Sequence, residues 1–236
     1  MAPPPPEPAR PPLVALRDVE RVYPRGASEI AALAGVSLEV REGEKLVIMG
    51  PSGSGKTTLL SILGCLDRPT RGEYRLEGRS VTSLDDDTLS RVRNRSIGFV
   101  FQSFHLIPQL TVVENVETPL VYGEVPPGEW RARALRALER VGLRARADHR
   151  PSELSGGEAQ RAAIARAVVT EPRLILADEP TGNLDSVTGE QIARLLDELH
   201  AESRTVVLVT HNEALARRAR RMLRLRDGRI EAESRL

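Results

Sequence analysis

The chain has 236 residues, 40% of them hydrophobic and 28% charged, with a formal net charge of +1. That is enough for one large domain, or a domain with an inserted subdomain, built on a sizeable core. The near balance of charge speaks against a dedicated nucleic-acid binder, which carries a strong basic excess, and no apolar run reaches the roughly 18–20 residues that span a bilayer.

Residues 1–12, MAPPPPEPARPP, lack any apolar pattern and read as an extended, disordered tail. No positive segment followed by an apolar one opens the chain, so a secretory leader is not expected. Strand signals follow over 13–23 and 33–50. In the second, Val36, Leu38 and Val40 alternate with Ser37 and Glu39, the period of a half-buried strand. Leu46–Met49 is a continuous apolar run, as in strands covered on both faces.

A helix is expected from Lys56 through TTLLSILGCL, then a short strand at 72–78, a charged helix at 84–95 and a buried strand at 97–102. Cys65, within this stretch, is the only cysteine. An intrachain disulfide is therefore excluded, and a reducing compartment fits. Between 103 and 170 the pattern turns to helices and loops, with 129–143 strongly helical. Strand 174–178, helix 186–202, strand 205–210, helix 212–221 and strand 222–230 complete the chain. This alternation argues a mostly parallel sheet covered on both faces, with a helical interruption inserted.

Three stretches carry chemistry. GPSGSGKT, Gly50–Thr57, fits G-x-x-x-x-G-K-[ST] between an apolar strand and a helix, the context in which that pattern cradles phosphate. Gly50, Gly53 and Gly55 allow a backbone whose N–H groups turn inward, and Pro51, Ser52 and Ser54 complete the loop. Lys56 would reach the β- and γ-phosphates, Thr57 would ligate Mg²⁺, and Thr58 would touch the α-phosphate. Of the 34 basic residues only Lys45 and Lys56 are lysines; a compact ammonium suits the cradle better than a planar guanidinium.

LILADEP, 174–180, ends an apolar strand in Asp178 and Glu179. Two acids there fit a cation and a proton-transfer role: Asp178 in the Mg²⁺ shell, Glu179 as general base. LSGGE, Leu154–Glu158, is a second cradle. Ser155 is a good helix cap, and Gly156 and Gly157 leave N–H groups accessible. Taken alone it is equally a well-capped amphipathic helix.

Together and in order, these motifs resemble the ATP-binding-cassette (ABC) ATPases over roughly residues 13–230. Gly50–Thr57 matches the Walker A motif, 174–179 the Walker B motif and its following glutamate, and 154–158 the signature motif, with Glu158 where glutamine is commoner. Gln102 matches the Q-loop, GNLD ending at Asp185 the D-loop, His211 the switch histidine, and Tyr23 the adenine-stacking aromatic. The resemblance implies an α/β P-loop NTPase (RecA-like) fold: a mostly parallel sheet, an N-terminal antiparallel β subdomain, and an α-helical subdomain inserted at about 103–170 of an ABC ATPase domain covering 13–236.

It also implies the chemistry. Lys56, Glu179 and His211 would be catalytic. Thr57, Gln102 and Asp178 would hold Mg²⁺. ATP would bind Tyr23, residues 50–58, Gln102, Glu158 and Asp185, and the partner copy's Ser155, Gly156 and Gly157. A homodimer would close head to tail on ATP, which accounts for two cradles in one chain. No role is assigned to His105, His149, His200, Trp130 or the Arg217–Arg221 cluster.

GCLDRPTRGEY, the segment after Gln102 and DEPTGNLDSVTGEQI resemble the MacB, LolD and FtsE type of ATPase, nearest MacB. That type drives export of macrolides, peptides or lipoproteins, or acts in cell division. No membrane span occurs in these 236 residues, so a separate permease is expected, with the ATPase peripheral at the cytoplasmic face of the inner membrane. The apolar segment SFHLIPQLTVVENV is either core of the helical subdomain or the surface on which the permease docks, and both uses are compatible. A soluble ABC ATPase without a permease, or an FtsE-like regulator, stands as the alternative.

Overall fold

A computed structural model describes residues 11–26 and 28–235. The proline-rich tail expected at 1–12 lies, except for Pro11 and Pro12, outside the described residues.

Two sheets stack around the chain's first helix. The smaller is antiparallel, in the order β2-β1-β4-β5, made of β1 (Val14–Arg25), β2 (Ser28–Val40), β4 (Arg71–Leu76) and β5 (Arg79–Ser80). In β2 the expected alternation holds: Val36, Leu38 and Val40 are buried, while Ser37 and Glu39 are exposed.

The larger sheet has six strands in the order β10-β9-β3-β8-β7-β6. They are β3 (Lys45–Met49), β6 (Ile97–Val100), β7 (Leu174–Asp178), β8 (Thr205–Val209), β9 (Arg221–Arg226) and β10 (Arg229–Arg235). All pairings are parallel except the β9–β10 hairpin.

The central strands are apolar throughout because each face meets its own core. Leu46, Ile48, Leu174, Leu176, Val207 and Val209 face one core, shared with β1, β2 and the helix α1 (Lys56–Leu63). Val47, Ile175, Ala177, Val206 and Leu208 face the other. Helices α3 (Val112–Val121), α4 (Trp130–Arg140), α5 (Gly156–Val168) and α6 (Ser186–Ala201) fill that second core. A strand buried on both faces loses the alternation of a half-exposed one.

Helix α2 (Asp86–Ser96) starts on a side-chain cap, Asp85 accepting from Thr88 N. The helix expected at 212–221 is shorter: α7 covers only Glu213–Ala216. The arginines beyond it are drawn elsewhere. Arg218 pairs with Glu190 and Asp197, and Arg221 enters β9, opposite Leu46 of β3. The segment expected at 222–230 as strand with an Asp-Gly turn is the β9–β10 hairpin, turning at Asp227-Gly228.

Candidate functional site

The parallel strands deliver their carboxyl ends to one edge of the sheet, where ligands of open α/β folds bind. β3 leads there into Gly50–Gly55 and α1. This loop is wedged between the two sheets. A methyl group on Gly50 would stand 2.1 Å from the Leu225 carbonyl oxygen, and one on Gly55, at φ +99°, 2.3 Å from that of Ala32. The Ser54 carbonyl accepts from Gly228 N at 3.0 Å, and Gly228 O accepts from Ala34 N at 2.9 Å. β2 and the β9–β10 hairpin thus brace the loop from both sides.

What the braced loop offers is unpaired donors. Helix α1 begins at Gly55 with no side-chain cap, as does α4 after its 3₁₀ turn, whereas α2, α3, α5, α6 and α7 are each capped by a side chain. The first N–H groups of a helix need partners, and here they are left for an anion. Lys56 Nζ donates to the carbonyls of Gly50 (2.9 Å) and Pro51 (2.8 Å), so its ammonium lies folded over the loop. Thr57 is exposed on the first turn of α1. Ser54 Oγ is buried without a partner. These residues fit a triphosphate.

β7 brings two carboxylates to the same edge. Asp178 is half-buried, and its carboxyl is pushed above the ordinary aspartate value by burial first and the adjacent Glu179 second, against the pull of Lys56. An oxygen donor of this kind, with the Thr57 hydroxyl and phosphate oxygens, suits Mg²⁺, which needs few protein ligands. Glu179 sits at φ +43°, a left-handed backbone uncommon outside glycine. It is pinned there by its N–H donating to Val209 O (2.9 Å) and its carbonyl accepting from Gly182 N (2.9 Å). Such strain persists only where the surroundings fix it. Here it aims the carboxylate: Oε2 accepts from Thr210 Oγ1 (3.0 Å), and Oε1 lies 2.7 Å from His211 Nδ1.

Gln102 follows β6 and is tied to the loop after β7. Its Nε2 donates to Asn183 Oδ1 (3.1 Å), and Asn183 Nδ2 donates to the Gln102 carbonyl (3.1 Å). Neither Asn183 nor Thr210 was singled out from sequence; Thr210 beside His211 was the available signal.

Tyr23 lies on the β1–β2 hairpin, paired with Ile30, two residues before the Ala32 that braces Gly55. Its hydroxyl donates to Asp67 Oδ2 (2.5 Å), and the Arg21 guanidinium covers its ring at 4.4 Å. One ring face is therefore taken by a cation.

The second cradle is fully formed but apart from the first. Ser155 caps α5 in a reciprocal box with Glu158, whose Oε2 accepts from Ser155 N (2.9 Å) and Oγ (2.8 Å). Gly157 packs against Thr188, and Gly156 lies near Leu184. Asp185 caps α6, accepting from Val187 N and Thr188 N at 3.0 Å. The cradle at 154–158 and Asp185 thus share one corner. Among the described residues no hydrogen bond joins that corner to the loop at 50–58.

Residues 33–182 match the family model described as ABC transporter. A Thermotoga maritima protein named as an uncharacterized ABC transporter ATP-binding protein is 55% identical over 216 residues, covering 92% of each chain. The macrolide export ATP-binding/permease protein MacB of Chlorobium luteolum is 52% identical over 224 residues, 95% of this chain but 34% of that protein. The chain therefore spans about a third of the MacB relatives it matches. Among solved structures, the dimeric post-hydrolysis state of the ATP-binding cassette MJ0796, bound to ADP and Pi, is similar with a TM-score of 0.88 at 49% identity, covering 94% of this chain and 98% of that one.

Proposed function

The chain belongs to the ABC transporter ATP-binding family, and from that premise we propose that two copies close head to tail on ATP and so move a separate transmembrane permease. ATP binding and hydrolysis are the activity of the family. The finer steps rest on this chain's geometry.

The N–H groups at the start of α1 and the Lys56 ammonium take the β- and γ-phosphates, Lys56 leaving the loop carbonyls it now holds. Thr58 lies beside the α-phosphate. Thr57, Asp178 and Gln102 hold Mg²⁺, which neutralises charge on the phosphate oxygens when bound. Glu179 accepts the proton of the attacking water. Thr210 and His211 each fix one of its carboxylate oxygens. A carboxylate only accepts, so His211 Nδ1 carries the proton between them. Tyr23 offers its free face to the adenine.

One observation carries the dimer. A braced, uncapped cradle and a second cradle around Ser155 coexist in one chain without a hydrogen bond between them. Each is half a site. A triphosphate whose charge is satisfied only when both halves meet prefers the closed state, and its cleavage removes that preference. The MJ0796 cassette, a dimer bound to ADP and Pi, supports this reading.

The permease would dock beside Gln102. A groove of about 590 Å³ there is lined by Leu66, Phe99, Phe101, His105, Tyr122 and Arg166. Leu66 and Tyr122 are exposed apolar side chains. Arg166 of α5 donates to the carbonyls of Phe104 (2.7 Å) and His105 (2.5 Å), linking the groove to the helix that begins at the second cradle. No helix among the described residues is long and apolar enough to cross a membrane; the reading of the chain as peripheral at the cytoplasmic face rests on its resemblance to ABC ATPases with separate permeases. Likeness to the macrolide export protein MacB supports export of a macrolide; a peptide or lipoprotein cargo rests on the sequence resemblance alone.

Replacing Glu179 with Gln tests this. Turnover is expected to fall by about 100-fold or more with ATP binding kept, and sedimentation should find a dimer with Mg-ATP and a monomer without it. A variant that remains monomeric with ATP would overturn the reading.

A further inference from the structure

The second cradle carries a negative charge. Glu158 holds the two groups a phosphate would need, the N–H and the hydroxyl of Ser155, on its Oε2. The Ser155 backbone and hydroxyl and, beyond them, Arg146 hold its carboxyl below the usual glutamate range, so it stays ionised at neutral pH. An anion in this position repels an incoming triphosphate.

Among the described residues Glu158 has one ion-pair partner, Arg146, whose Nε lies 3.3 Å from Oε1. Arg146 ends the short 3₁₀ turn Arg144–Arg146, between α4 and α5. The turn is fixed from its other side: Arg146 Nη1 lies 3.1 Å from His149 Nε2, and the Arg146 carbonyl accepts from His149 N at 3.0 Å. The guanidinium is thus steered onto the carboxylate oxygen that Ser155 does not use.

We propose that Arg146 is a positioning residue of the composite nucleotide site: it cancels the Glu158 charge and, by holding Oε1, draws the carboxylate off Ser155 so that the serine can bind the triphosphate on a second copy. This rests on the head-to-tail reading above. Because the closed dimer contains two such caps, any defect is felt twice in the dimerisation constant.

The test uses the Glu179→Gln chain as background, with dimerisation in Mg-ATP followed by sedimentation. Arg146→Gln should weaken the dimer by about tenfold, the scale of one half-exposed charge pair counted at two caps. Affinity for a fluorescent ATP analogue in the monomer, where the chain's own cradle is intact, should stay unchanged. Adding Glu158→Gln should restore dimerisation to within about twofold of the background, since no charge is left to cancel. Arg146→Lys, which keeps the charge, should stay within about threefold. Urea unfolding separates this role from a structural one: Arg146→Gln should unfold like the background, whereas a merely structural ion pair would lose stability in the single variant and regain it in the double one. An Arg146→Gln chain that dimerises like the background, or a double variant as weak as the single one, overturns the proposal. A background chain that never dimerises overturns the composite site itself and this proposal with it.

Discussion

Gln160, on the helix that starts at the second cradle, donates from Nε2 to the carbonyl of Pro180 at 2.7 Å, in the buried interior one residue beyond Glu179. A single hydrogen bond thus ties α5 to the strained turn that aims Glu179. Gln160→Leu keeps the volume but leaves the Pro180 carbonyl unpaired. It should cost about 1–3 kcal/mol in urea unfolding and lower turnover several-fold through misplacement of Glu179, with ATP affinity little changed. Equal turnover at equal folding would show that the turn holds Glu179 without α5.

Asp178 gives a prediction with opposite signs for stability and activity. Its native carboxyl titrates above the ordinary aspartate value of 3.8. A carboxyl raised in the native state favours folding while protonated, and that contribution is lost as pH rises from the unfolded value through the native one. The ionised Asp178 therefore weakens the nucleotide-free protein at neutral pH. Asp178→Asn should raise Tm without nucleotide at pH 7, and the gain should shrink as pH falls toward about 4. Hydrolysis should drop by about 100-fold or more. A lower Tm at pH 7 would contradict the account.

At the corner of the second cradle, a methyl on Gly157 would stand 2.3 Å from Thr188 Cγ2. Thr188 Oγ1 donates to Asp185 Oδ2 at 2.6 Å, so this threonine cannot turn away freely. Gly157→Ala should cost about 1–3 kcal/mol and impair ATP-driven dimerisation. Adding Thr188→Ser removes the clashing methyl, keeps the hydroxyl, and should recover most of both. No recovery in urea unfolding would contradict the Thr188 clash as the cause.

The strands β3, β7 and β8 were legible because burial on both faces demands continuous apolar runs, and the acids at the end of LILAD stood out against that run. Both cradles were legible because glycine, lysine and serine at those spacings have few other uses. The partners that aim the catalytic groups were not. Thr210, Asn183 and Pro180 reach Glu179, Gln102 and Gln160 across sequence gaps of 31, 81 and 20 residues, which local periodicity cannot register. Gln160 left a trace, standing four residues before Ile164 on the apolar face of α5. The Arg217–Arg221 cluster carries no role in the sequence reading, yet Arg218 and Arg221 bridge to Glu190, Asp197, Glu44 and Glu233. Lys45, the lysine outside the cradle, is buried against Asp197. Side-chain charge alone does not reveal such pairing.

The central claim is that each site is built from the cradle of one copy and the cap of another, and mixing two inactive chains tests it most directly. Lys56→Ala spoils the cradle and leaves the cap; Ser155→Arg blocks the cap and leaves the cradle. Each alone should be inactive. Mixed in equal amounts, half the dimers would pair one of each and contain one wholly native site, so ATPase activity should return to about a quarter of the native rate. A mixture as inactive as its components, with mixed dimers shown to form, would contradict the account.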